Sequence, residues 1–348
     1  MQRTRPTATL RPIALASLVS CMVAAPAWAQ SNTSTLPQVE VRAGESRAFT
    51  SSSIQVGTFR DQDPLDVPLT NQAITREVID AQGSTTLYGA LRNTAGVSHA
   101  QIGNATYDNI AIRGLLVDNQ RNYRLNGSLP IVNLIDTPLE NKERVEVLKG
   151  TSGIQAGTSA PGGLINYVVK RPTEKNLRSL RTEITSEGGL LAHVDLGGRL
   201  GESREFGYRF NLAGERIGSH VDAADGRRHL LALAMDWRVS RDSLLEVEFE
   251  HSRRSQPGVP GLSLLGNQLP AANPFININS QPWSQPGVMR NLSGSVRFEQ
   301  AIANNWSWSA QLASQRLQAD DRLAYPYGCY EASSDTYYPD RYCPNGDY

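Results

Sequence analysis

The sequence predicts a small α+β domain followed by antiparallel strands of a membrane β-barrel. From Arg178 onward, apolar and polar residues alternate in about seven runs of roughly ten residues, the length a tilted strand needs to cross a bilayer. The connections between runs alternate too. Segments 201–205, 240–242 and 303–305 are short, whereas 218–228, 255–289 and the stretch after Ala319 are long; only 187–190 breaks the pattern. Aromatic residues gather beside the short connections, at Phe206, Tyr208, Trp237, Trp306 and Trp308, level with one membrane interface. A soluble β-sandwich also alternates, but its core would not accept the unpaired Arg, Glu and Asn of the second face.

Composition narrows the alternatives. Lys+Arg and Asp+Glu are both 34 in 348 residues, so a general polyanion-binding role loses its support and no nucleic-acid partner is expected. Mean hydropathy is -0.38, and no mature segment supplies ~20 consecutive apolar residues, which excludes a bundle of membrane helices. Recurring apolar runs argue against disorder. Barrel strands escape the hydropathy argument because only alternate residues face lipid.

Residues 1–29 read as a signal peptide. Arg3, Arg5 and Arg11 form its basic region, Ile13 to Ala25 its apolar core, and Ala27-Trp28-Ala29 its cleavage site, so the mature chain is expected to start at Gln30. An uncleaved anchor and lipidation at Cys21, within Leu18-Val19-Ser20-Cys21, are the alternatives. Residues 30–53 are polar, and within them Leu36-Pro37-Gln38-Val39-Glu40-Val41 alternates after a proline. Such a segment can add to the edge of another protein's sheet or serve as an inert linker, and periodicity leaves both open.

Residues 54–173 read as a compact α+β domain. Pro68 to Ile74 leads as a strand into a helix over Arg76–Gln82 capped by Thr75, and a second short helix covers Leu87–Arg92. Ile110 and Ile112 mark a strand turning at Arg113-Gly114, and Arg144–Leu148 another strand. Gly150 to Gly163 is glycine-rich but lacks the Gly-Lys-Ser/Thr ending of a phosphate cradle, so its glycines are expected in tight turns. Neither G-x-S-x-G nor H-E-x-x-H occurs and the five histidines are scattered, so no enzyme activity, catalytic residue or protein metal site is expected.

Residues 174–348 carry the strands, over 180–184, 191–200, 206–216, 231–239, 245–249, 292–298 and 306–312. Seven is an odd number, and so small a barrel has no room for a preceding domain, so the chain is expected to be part of a longer one. Once Cys21 is removed, Cys329 and Cys343 remain as a pair in an oxidising compartment, flanking a Tyr-, Ser- and Asp-rich stretch, and are expected to form a disulfide.

These residues resemble the N-terminal half of a TonB-dependent outer-membrane receptor, most similar to the ferric-siderophore branch. Pro68 to Val97 resembles the first plug segment, Ile112-Arg113-Gly114-Leu115 the Arg-Gly-Phe motif, and Glu143 to Gly150 the strand read as ERVEVLKG. Gly157 to Thr173, ending Lys170-Arg171-Pro172-Thr173, resembles the exit from plug to barrel. Thr151, Ala156 and Leu115 stand where the family usually has Pro, Tyr and Phe. The resemblance implies a barrel of 22 strands in the complete protein, with the α+β domain plugged inside, in the outer membrane. It implies a monomer surrounded by outer-membrane lipid that binds a ferric siderophore at the cell surface. Leu36 to Val41 would be the TonB box, through which TonB of the inner-membrane complex drives import. Since only a few residues separate Gln30 from the box, no signalling domain is expected before it. Ligand contact is implied at plug apices near Gln101 and Asn119-Gln120-Arg121, and plug–barrel contact at Arg113 and Lys149 with carboxylates outside this chain. Iron would travel as cargo in the siderophore's oxygens, with no resident cofactor. The alternatives are a receptor for haem, cobalamin or an oligosaccharide, and a structural or adhesin barrel without energised transport.

Overall fold

The computed structural model describes residues 49–338 apart from 60, 101–108, 135, 151–156, 261–272, 278, 304–305, 323–328, 332 and 335. The α+β region is built from short elements. β1 (Thr70–Thr75) runs directly into α1 (Arg76–Ala81), followed by α2 (Leu87–Leu91). Both helices start at a threonine whose hydroxyl accepts from a backbone N–H, Thr75 from Val78 and Thr86 from Gly89. Helices of six and five residues are not stable alone. Ile79, Leu87 and Leu91 hold them by packing into a core with Ile110, Ile112, Val145, Ile165 and Tyr167.

Strands β2 (Val97–His99), β3 (Ile110–Ile112) and β4 (Leu115–Leu116) form one small antiparallel sheet. The second sheet contains β5 (Tyr123–Leu125), β6 (Leu129–Ile131), β7 (Lys142–Lys149) and β8 (Gly163–Val169), in the order β1-β7-β8-β5-β6. Its pairs are antiparallel except β5 with β8, which is parallel. The expected strand over 144–148 is the middle of β7, and the expected turn at Arg113-Gly114 has both residues at positive φ. Strand β8 had no alternation to betray it because every residue is buried, and a strand covered on both faces reads as one apolar run.

A segment before β1 straps this sheet. Ile54 bridges to Gln62 around a single 3-10 turn, Gly57–Phe59, and Ile54, Val56 and Phe59 pack on Leu148 and Leu164. The buried Glu146 carboxylate of β7 accepts from the Gln55 backbone N–H at 3.0 Å, from Asn166 at 2.8 Å and from Arg144 at 2.7 Å. The strap closes on Gly127, in the β5–β6 turn, whose carbonyl accepts from the Gly57 N–H at 2.9 Å.

Seven strands follow as a meander: β9 (Leu177–Ile184), β10 (Leu190–Leu200), β11 (Phe206–Ile217), β12 (Gly226–Arg238), β13 (Ser243–Gln256), β14 (Gly287–Ala303) and β15 (Trp306–Asp320). All seven expected runs lie on these strands. The longer ones overshoot their predicted spans because the ladder continues past the apolar band. Arg253 still pairs with Arg290, and Gln256 with Gly287, where no alternation of apolar residues remains to read. The sheet is open, with β9 and β15 at its edges, so closure into a barrel and the number of strands needed for it stay expectations. A two-stranded ribbon, β16 (Cys329–Glu331) and β17 (Thr336–Tyr338), follows.

Gly127 has φ +90°, and a Cβ there would stand 1.8 Å from the Gln55 carbonyl oxygen. Gly127→Ala is expected to cost on the order of 2–3 kcal/mol and to free the strap. Limited proteolysis of the full-length protein should then cut within 54–67, and an unchanged digestion pattern would count against this role.

Candidate functional site: the interface between the plug-like domain and the strands

Along each strand the usual order of a soluble protein is reversed. On β11, Arg209, Asn211 and Ala213 are buried, while Phe206 and Leu212 are exposed. The buried polar face looks onto the α+β domain, and five carboxylate-centred contacts join the two.

Glu250 of β13 accepts from Lys142 Nζ at 2.6 Å and Asn141 Nδ2 at 2.7 Å through one oxygen, and from Asn291 of β14 at 3.2 Å through the other. Lys142, fully buried, also donates to Asn141 Oδ1 at 2.7 Å. Asp195 of β10 is gripped by Arg209 at 2.6 and 2.8 Å and by Lys170 at 2.8 Å. Burial presses the Lys170 amine down and the Asp195 charge opposes that shift. Glu248 accepts from Asn126 at 2.8 Å and lies 2.7 Å from Arg171 Nη1. Near the long connections, Arg228 of β12 clamps Glu140 through two nitrogens and also reaches Glu215, while Arg254 of β13 donates to Asp136 at 2.8 Å. Burial pushes the Asp136 carboxyl up against the pull of Arg254 and Arg228.

One contact imitates a strand ladder. The Gln315 amide of β15 accepts from the Val132 N–H at 3.0 Å and donates to the Val132 carbonyl at 3.3 Å. Segment 132–141 therefore sits toward the long-connection end, since Arg228 and Arg254 lie within a few residues of it on their own strands.

The residues singled out from sequence fall in three groups. Leu36 to Val41, Gln101 and Cys343 lie outside the described residues, and Cys329 opens β16. Asn119, Gln120 and Arg121 share one turn, where Asp118 accepts from the Gln120 N–H at 2.8 Å and meets Arg121 Nε at 3.2 Å. Asn119 donates to Asn109 at 2.7 Å, its carbonyl accepts from the Asn133 N–H, and its Oδ1 is buried with no partner among the described residues. Arg113 and Lys149 are neighbours, and oxygens of their own domain satisfy them. Arg113 is exposed and donates to Thr70 at 3.1 Å; Lys149 is buried and donates to the Ala95 carbonyl at 2.7 Å. Burial, with the Arg113 charge adding to it, holds the Lys149 amine below its usual range. The carboxylates expected to meet this pair would lie outside this chain.

The contacts at Glu140, Lys142, Lys170 and Asp195 were not anticipated individually. The signal was present in the charged second face of the strands, which demanded partners, but which side chain met which depended on tertiary placement.

A globular domain tied by buried ion pairs to the polar face of membrane strands defines a plug. Comparison with known proteins agrees. Residues 63–164 match the TonB-dependent Receptor Plug Domain. The metal-pseudopaline receptor of Pseudomonas aeruginosa is 27% identical over 278 residues, covering 80% of this chain and 39% of the relative. The ferrichrome outer membrane transporter/phage receptor of Escherichia coli is 28% identical over 187 residues, covering 52% of this chain and 25% of the relative. Among solved structures, the pyoverdine-bound pyoverdine outer membrane receptor of Pseudomonas aeruginosa superposes with a TM-score of 0.72 at 20% identity, over 79% of this chain and 41% of that one. The ferric preacinetobactin receptor of Acinetobacter baumannii gives 0.71 at 21%, over 77% and 40%. The chain thus carries a region similar to the plug of TonB-dependent receptors, is similar over most of its length to receptors of the outer membrane, and spans about two fifths of the length of the first relative it matches.

Glu140 gives the interface a pH dependence. Burial raises its carboxyl, but the Arg228 guanidinium overrides this and holds it at about 2, against 4.5 when free. The contribution is therefore complete above pH 4.5 and lost as pH falls toward 2, a difference on the order of 3 kcal/mol. Chemical denaturation of the full-length receptor should show stability falling over this window, and Glu140→Gln should flatten that fall. An identical acid profile in the variant would refute the assignment.

Proposed function

We propose that this chain is the plug and first strands of a receptor that binds a ferric siderophore at the cell surface and imports it by TonB-coupled transport. The observation that carries the reading is the plug match within a chain whose relatives are named as ferric-pyoverdine, ferrichrome and catecholate siderophore receptors. The geometry supports it in two respects. The turn at Asn119-Gln120-Arg121 lies beside Asn133, whose backbone N–H donates to the Asn119 carbonyl and whose Nδ2 has no partner among the described residues, a donor of the kind that binding an oxygen-rich chelate requires. The plug is held to the wall by directional polar contacts, which an applied pull can break in sequence and water can replace. No bond in the cargo is made or broken, so the protein acts by binding and release.

In this reading Leu36 to Val41 pairs with TonB as an added strand, and in sequence the strap at Ile54–Gln62 follows that segment and precedes β1. A second reading keeps the mechanism and changes the cargo to a chelate of another metal, favoured by similarity to the metal-pseudopaline receptor. Fluorescence quenching of the full-length receptor by a panel of ferric siderophores and chelates of other metals separates the two. Val39→Pro removes a backbone donor from the added strand, so it should abolish uptake of the bound chelate while leaving its affinity unchanged. Normal uptake at wild-type surface levels would overturn the coupling.

A further inference from the structure

The chain leaves the plug along the wall and not through open space. Strand β8 ends at Val169, and Pro172 has no N–H with which to extend its ladder. Among the described residues, the last hydrogen bond from this stretch to the plug is that of the Lys170 N–H to the Asn141 carbonyl, at 3.0 Å. From there the partners belong to the strands. Lys170, Thr173 and Glu174 meet Asp195, Gly197 and Arg199, successive inward positions of β10. Arg171 reaches across to β13, 2.7 Å from Glu248 and 3.2 Å from Glu246. The Thr173 hydroxyl closes a local turn on the Lys175 carbonyl at 2.7 Å, and Leu177 then enters the ladder opposite Gly197.

Two wall glycines make the bed for this segment. A Cβ at Gly197 would stand 2.7 Å from Thr173 Oγ1, and one at Gly207 of β11 would stand 2.6 Å from Pro172 Cβ. Asp195 and Arg199 flank Gly197 on the inward face, so a side chain is lacking only where the segment crosses. Chain seated this closely cannot slide without a clash. The polar contacts are unequal. The Lys170 and Asp195 side chains are 6% and 7% exposed, and parting them would strand a buried charge. Glu174 is 62% exposed, so its pairs with Arg199 and Arg238 add little. On the plug side the joint at Lys170 is one neutral backbone bond, which makes it the weaker of the two.

We propose that residues 170–176 are an anchor that stays on the wall when the plug opens, holding one end of the domain in place so that it re-seats in its original register. The anchor rests on the plug opening in the proposed transport. Its test needs neither cargo nor TonB, so a different cargo would leave the result unchanged. The full-length receptor in detergent is taken through urea concentrations that open the plug but keep the heat-modifiable migration of a folded barrel. Opening is read as hydrogen exchange at Val147 and Ile165, in the plug core. The variant Thr173→Cys with Gly197→Cys is compared oxidised and reduced. A Cβ added at Gly197 lies 3.5 Å from Thr173 Cγ2, which places the two side chains within disulfide reach. A lock on a segment that never leaves the wall costs the open state nothing, so oxidation should change core exchange by less than twofold. Should the pair not fold, Thr173→Cys alone is labelled with a maleimide. Over a urea range in which core exchange rises a hundredfold, labelling at position 173 should rise less than threefold. Oxidation that slows core exchange beyond twofold, or labelling that rises threefold or more over that range, would overturn the proposal.

Discussion

The rest of the structure depends on one constraint: the strands bury a charged face, and that face must be satisfied. Glu250, Asp195, Glu248 and Arg228 are removed from water on the inner side of the sheet, and an unpaired charge in such a place is costly. The wall neutralises itself only in part: Arg209 meets Asp195 and Arg228 meets Glu215, but neighbouring inward positions Glu246, Glu248 and Glu250 carry the same sign. Cations and amides of the plug complete it. Lys142 and Asn141 meet Glu250, Lys170 joins Arg209 on Asp195, and Asn126 and Arg171 meet Glu248. Along the loop end the polarity is reversed, with wall arginines receiving the plug carboxylates Glu140 and Asp136. Sliding plug past wall would separate these pairs and leave their charges buried without partners.

Such an interface differs from an apolar one in what it costs to open. Buried ion pairs add little net stability over well-packed hydrophobic residues of the same size, but they are specific and are lost in discrete steps. That suits a domain meant to sit firmly at rest and yield when pulled. The apolar contacts that do hold firmly are inside the plug, around Ile79, Leu91, Ile112 and Tyr167, and at the strap over Leu148 and Leu164.

Much of the architecture was legible because membrane strands have a simple grammar. Alternation located all seven strands, and the spacing of short and long connections gave their antiparallel order. Thr75 announced α1, since a hydroxyl before an apolar-periodic run caps it. What stayed hidden had no local signal. Strands β5 and β6 are three residues each, and the parallel β5–β8 pairing joins segments about forty residues apart in a way no local period records. The interface was legible only by half. Charged inward faces required partners, but Lys142 and Lys170 looked like ordinary solvated lysines, while Arg113 and Lys149, the basic pair suggested by family motif, bind oxygens of their own domain.

The central claim is that desolvated ion pairs, not apolar area, lock the plug to the strands. The most direct test is a double-mutant cycle on Lys142 and Glu250 in the full-length receptor, with hydrogen exchange of the plug amides as readout. Lys142→Met and Glu250→Gln should each lower plug protection by about 3–5 kcal/mol, and the double variant should cost clearly less than their sum, because neither then leaves a lone buried charge. Near-neutral single variants with additive effects would contradict the account.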